Sequence, residues 1–130
     1  MKLYAVIMLG GAIGSALRFL MASSIDRATG MAFPWGTILV NILGSFVIGL
    51  FIGLTGPEGP LSVSANVRAF VAIGILGGFT TFSSFSLQTM QLFHQGIYWQ
   101  AASNVLISVI CCLAATGLGL FIAQHGWKAH

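Results

Sequence analysis

Charge is what this chain has least of. Five of its 130 residues are Lys or Arg and two are Asp or Glu, 5% in all, where soluble domains carry about a quarter. Such a chain cannot cover itself with a water-compatible surface, and five positive groups are too few for a nucleic-acid footprint. Carboxylates are scarcer still: Asp26 and Glu58 are the whole supply, and both fall between apolar segments. Cysteine is limited to Cys111 and Cys112. Adjacent residues cannot adopt ordinary disulfide geometry and these have no other partner, so they read as small packing residues. His94, His125 and His130 fall at segment ends, which leaves no His/Cys/Asp/Glu cluster at metal-ligand spacing. No enzyme site is visible.

What is present is apolar: 57% of the residues are hydrophobic and the mean hydropathy is +0.97, so lipid is the expected solvent. A spanning helix needs roughly 20 mostly apolar residues. Residues 3–23, 34–55, 67–93 and 97–123 each meet that length, predicting an all-α integral membrane protein, one four-helix domain over residues 1–130. The connectors are a polar loop at 24–33, the segment 56–66 with Pro57, Glu58 and Pro60, and a tight turn at 94–96. The first segment also resembles a secretory signal peptide, with Lys2 ahead of an apolar run and Gly14-Ser15-Ala16 offering cleavage-sized residues. Three equally apolar segments follow it, and we read it as another span.

Four spans place Lys2, Arg68 and Lys128 on one side of the membrane and Arg18 and Arg27 on the other. A bias of one charge barely orients the chain, which is what insertion in both directions, and hence an antiparallel dimer, requires.

Helices in lipid associate by close backbone approach at small residues spaced four apart. Gly10 with Gly14, Ser45 with Gly49 and Gly53, and Ala115 with Gly119 supply such faces. Gly10-Gly11-Ala12-Ile13-Gly14 is no nucleotide loop: no strand precedes it, no Lys-Ser/Thr follows it, and it lies inside an apolar helix.

The third span is interrupted. Over residues 74–86 paired glycines and five hydroxyl residues (Thr80, Thr81, Ser83, Ser84, Ser86) replace the aliphatic run, predicting loss of helix near 77–83. In hydrocarbon an unpaired backbone group costs several kcal/mol, so a break survives only where protein, ion or water satisfies it. A first half-helix ending near Gly77 would expose carbonyls suited to a cation such as Na⁺; a second half beginning near Thr80 would expose N–H groups suited to an anion. A glycine kink sealed by hydroxyls bonding back to the helix is the plainer alternative.

In the fourth span Asn104, Ser108, Cys112 and Thr116 recur every four residues and share one stripe. Asn41, one turn after Thr37 and one before Ser45, is expected to face the same polar track, since a lone amide in lipid is costly. These groups donate hydrogen bonds, and the span interiors hold no Asp or Glu, which favours an anion. Phe82 and Phe85, three apart, present one face, and ring edges carry the positive part of the aromatic quadrupole; ordinary core packing is the simpler reading for such residues. Dehydrating a small anion needs several close donors, an inventory that Asn41, Thr81, Ser83, Ser108 and Thr116 could provide; the residues alone point to an anion path and do not choose the ion. Arg18, near the end of the first predicted span, either snorkels to the interface or adds positive potential to an aqueous vestibule.

Gly10-Gly11-x-x-Gly14-x-x-x-Arg18-Phe19, Gly36-Thr37-x-x-x-Asn41 and the run from Gly77-Gly78-Phe79-Thr80 to Ser86 closely resemble the Fluc family of fluoride channels, also called CrcB proteins. The resemblance covers essentially all four spans, and the third motif is the specific one. It implies dual-topology antiparallel homodimers with two pores in a bacterial inner membrane, and a structural Na⁺ held by backbone carbonyls, here those of Gly77 and Thr80. It also implies that Phe82 and Phe85 line the fluoride path with Asn41, and that Ser108, Cys112 and Thr116 continue it. Two positions depart from the family pattern: Cys112 stands where a hydroxyl is usual, and Gln88 where a Glu often follows. A thiol donates weakly, so Cys112 contributes less than its neighbours. The expected activity is passive fluoride export, with no nucleotide or redox cofactor. The alternative is a small proton-coupled multidrug exporter, another four-helix dual-topology class, which needs a membrane-embedded carboxylate this sequence lacks. A third reading, a membrane subunit without transport of its own, leaves the hydroxyl-lined break unexplained.

Overall fold

The computed structural model describes residues 2–126; Lys128 and His130, which entered the charge and histidine readings, lie outside them. Within that range the chain is helical: α1 (Lys2–Thr29), α2 (Trp35–Thr55), α3 (Ala65–Arg68), a π-helical segment (Ala69–Leu76), α4 (Gly77–Phe79), α5 (Phe82–His94) and α6 (Tyr98–His125). Among the described residues four helical runs, Lys2–Thr29, Trp35–Thr55, Ala65–His94 and Tyr98–His125, are long and apolar enough to cross a membrane. This is therefore a multi-pass membrane protein. At 21 residues, α2 is about 31 Å long, close to the hydrocarbon thickness; the 28 residues of α1 extend beyond it.

Two ends differ from the sequence expectation. The first helix does not stop at residue 23 but continues through Thr29, because its polar residues serve the helix. The hydroxyls of Ser23, Ser24 and Thr29 donate to the carbonyls one turn back, Phe19, Leu20 and Ile25, at 2.6, 2.7 and 2.9 Å. Arg18 is consequently half-buried in the helix interior, not near its end. In the third span Gly77 and Gly78 remain helical; only Thr80 and Thr81 leave the helix, and α5 starts at Phe82, not Thr80.

Small residues decide the packing. A Cβ on Gly49 would collide with the Thr116 carbonyl, and one on Gly119 with that of Phe46, so α2 and α6 interlock backbone to backbone along the face predicted from sequence. On the other side α1 lies against the π-helical segment, with Gly10 against Phe70 and Gly14 against the Ile75 carbonyl. Gly74 and Gly78 of the third span serve the same seam: they meet the Gly10 and Gly11 backbone at distances that no side chain allows.

Two of the sparse charges cap the ends of α2. Asp26 Oδ1 accepts the Gly36 N–H at 2.7 Å at the N-terminus, while the Arg68 guanidinium donates to the Thr55 carbonyl, and to Thr55 Oγ1 at 3.2 Å, at the C-terminus. An acid at the positive end and a base at the negative end both satisfy orphan backbone groups and match the helix dipole. The outer surface is apolar, with Met8, Phe19 and Leu113 more than two-thirds exposed, as a lipid-facing surface must be.

Candidate functional site: the cleft at the break

The break opens a cleft of about 310 Å³ between α2, the third span and α6. Its wall begins with the last helical bonds of α4: the N–H and the hydroxyl of Thr80 both donate to the Leu76 carbonyl, each at 3.0 Å. In a continuous helix the next N–H, that of Thr81, would go to Gly77. Instead it donates to Asn41 Oδ1 at 2.7 Å, and Asn41 Nδ2 returns a bond to the Thr81 carbonyl at 2.9 Å. Asn41 thereby satisfies both backbone polar groups of Thr81, the second of two extended residues at the break, at φ −152 and ψ 115.

Beyond the break Thr81 caps α5. Its Oγ1 accepts the Ser84 N–H at 3.2 Å, which leaves the amides of Phe82 and Ser83 in the first helical turn without intrahelical acceptors. The positive end of α5, a helix of 13 residues, thus points at the cleft, and anions are favoured there. Phe82 and Phe85 follow with ring centroids 5.2 Å apart and planes tilted by 50°. Phe85 is buried at 8% exposure, whereas Phe82 stands out at 77%.

The α6 wall rests on a polar chain. Ser108 donates to Asn104 Oδ1 at 3.3 Å, Asn104 Nδ2 to Thr89 Oγ1 at 2.8 Å, and Thr89 to the Phe85 carbonyl at 2.8 Å. Asn104 is 1% exposed and lies behind Ser108, so it ties α6 to α5 without reaching the cleft. The Ser108 hydrogen is engaged in this chain and must rotate outward before it can serve an anion.

The profile of the family described as "CrcB-like protein, Camphor Resistance (CrcB)" matches residues 5–120. The chain belongs to the CrcB family. Curated relatives agree: the "Fluoride-specific ion channel FluC" of Opitutus terrae is 52% identical over 119 residues, covering 92% of this chain and 90% of the relative. Proteins of the same name from Methylocella silvestris and Rhodospirillum rubrum are 51% and 48% identical over 120 and 116 residues. They too are covered almost end to end, with 92% and 89% of this chain matched to 92% and 90% of theirs.

In this CrcB chain the cleft gathers most of the residues singled out from sequence. Asn41, Phe82, Phe85, Thr81, Ser108 and Cys112 line it, and Gly77 and Thr80 lie on the same wall. Ser83, Thr116 and Arg18 do not. Ser83 is exposed, 3.3 Å from the Thr81 hydroxyl; Thr116 is committed through its backbone to the Gly49 crossing; Arg18 lies one turn beyond Gly14 on α1, the helix seated against the π-helical segment. Two participants were missed as such. Ser45 lines the cleft, although its spacing four residues after Asn41 signalled it, and Thr89 anchors Asn104, which no local pattern announces.

Proposed function

We propose that this chain is the subunit of a fluoride-selective passive channel that releases fluoride from the bacterial cytoplasm across the inner membrane. The observation that carries the reading is the cleft itself: a helix opened in mid-span beside a cavity whose polar lining is the Asn41 amide and the hydroxyls of Ser45, Thr80, Thr81 and Ser108, with Phe82 and Phe85 on its wall and no carboxylate. Relatives about half identical in sequence and named fluoride channels support the choice of ion. The process is permeation and not catalysis, down the fluoride gradient.

The functional unit is an antiparallel homodimer of dual topology. Phe82, exposed on a single chain yet next to the buried Phe85, calls for a second surface to cover it, and the near-even distribution of Lys and Arg lets both orientations insert. A structural Na⁺ fits the wall of the break. Diversion of the Thr81 N–H to Asn41 leaves the Gly77 carbonyl without its usual helical donor, and Thr80 ends the helix with extended backbone at ψ 156. Carbonyl oxygens suit a hard cation, and the Gly77 and Thr80 carbonyls would hold it. Bound there, the ion would supply positive charge that neutralises the negative end of the first half-helix.

Cells test the reading directly. A fluoride-hypersensitive bacterium carrying this chain is expected to grow at a fluoride concentration that arrests the empty-vector control, with no gain in ethidium resistance. Ethidium resistance without fluoride protection would instead indicate the proton-coupled exporter. The structure offers that alternative no carboxylate in the cleft, and Asp26 Oδ1 already caps α2.

A further inference from the structure

Asn41 grips one residue of the third span by both its polar groups, and the consequence reaches past Thr81. A trans peptide is planar, with the carbonyl antiparallel to the N–H that follows it. Holding the Thr81 N–H on Asn41 at 2.7 Å therefore aims the Thr80 carbonyl away from Asn41. The same bond takes from the Gly77 carbonyl the donor it would have in a continuous helix. One side chain on the wall of the anion cleft thus sets the state of both carbonyls assigned above to Na⁺.

We infer that Asn41 is a positioning residue of the cation site: its clamp on Thr81 keeps the Gly77 carbonyl free and the Thr80 carbonyl aimed outward, so that the anion path and the cation site are two sides of one peptide plane. The inference rests on the Na⁺ reading above and goes beyond a role for Asn41 as a cleft-lining amide. Thr81 is itself buried at 8% exposure, so once Asn41 is removed its N–H is left facing the cleft or must find another acceptor within the protein. Its nearest helical acceptor is the Gly77 carbonyl, and bonding there both extends the helix and removes a cation ligand.

The test reads Na⁺ binding, not flux. Wild-type protein, Asn41→Ala, Asn41→Gln and Phe82→Ile are purified in detergent without Na⁺, and thermal unfolding is followed as NaCl replaces N-methylglucamine chloride at constant ionic strength. Na⁺ is expected to raise the wild-type midpoint. In Asn41→Ala the Na⁺ concentration giving half of that rise should increase by about tenfold, the worth of one misdirected charge-assisted contact. Phe82→Ile, which alters the cleft but not the clamp, should follow the wild-type curve.

A wild-type Na⁺ response in Asn41→Ala overturns the inference. Where that variant does not fold, Asn41→Gln decides by the same criterion, since its longer side chain keeps the amide but loses the register of both bonds. A wild-type protein that carries fluoride yet shows no Na⁺ response defeats the inference and leaves the channel standing. One that carries no fluoride defeats both.

Discussion

Phe82→Ile protein reconstituted into liposomes is expected to release fluoride about tenfold more slowly than the unsubstituted chain, the equivalent of one lost aromatic-edge contact. The reasoning is electrostatic. An isoleucine fills much of the same space and keeps the site apolar, but it lacks the positive ring edge that a desolvated anion can approach. Phe82 is the better test than Phe85. It is largely exposed on the single chain and carries little of its packing, whereas Phe85 is buried beside the Asn104 and Thr89 chain, so its loss would confound conduction with stability. Undiminished flux in a Phe82→Ile protein that elutes like wild type would remove this ring from the path.

A larger effect, on folding, is expected from Gly14→Val. The first side-chain carbon at Gly14 would fall on the Ile75 carbonyl and crowd the Phe79 amide. These are backbone atoms of the third span, just ahead of the break, and no rotamer change can move them. Forcing α1 off this seam should cost about 3 kcal/mol or more. It should also displace α4 relative to α5, so the protein should be lost from the detergent-soluble, monodisperse fraction on size exclusion. Gly117→Val is the control: no atom lies within 4 Å of a Cβ at that position, and the variant should elute normally. Normal elution of Gly14→Val would mean that the α1 seam does not hold the third span.

The parts legible in the sequence are those governed by local rules. Uninterrupted apolar length gave four spans, and small residues at fourfold spacing identified the face on which Gly49 and Gly119 interlock, because both signals are properties of one helix at a time. The third-span motif located the break to within a few residues. The break lies inside the expected 77–83, at the threonines and not at the glycines, because in a tightly packed membrane helix Gly77 and Gly78 stay helical and Gly78 admits α1. The true break falls at Thr80 and Thr81, where the Asn41 amide offers the backbone a better partner than the helix does.

What could not be read depends on residues far apart in the chain. The Asn41 and Thr81 pair is separated by 40 positions, and the Asp26 and Arg68 caps on α2 exist only once α1 and α3 have docked. Asp26 and Arg68 were counted as loop and side charges, yet each completes a helix end. The fourfold stripe on α6 also proved less uniform than its spacing suggested. Ser108 and Cys112 face the cleft, Asn104 stands behind it as a brace, and Thr116 belongs to the α2 crossing, since a straight helix drifts off any single line as it climbs.

That the cleft at the break is an anion path is tested most directly by ion release from liposomes holding the purified protein, with a fluoride electrode and a chloride electrode used in parallel. Fluoride should leave far faster than from empty liposomes, with chloride at the empty-liposome rate. Fluoride release at the empty-liposome rate, or chloride passing as readily, would contradict it.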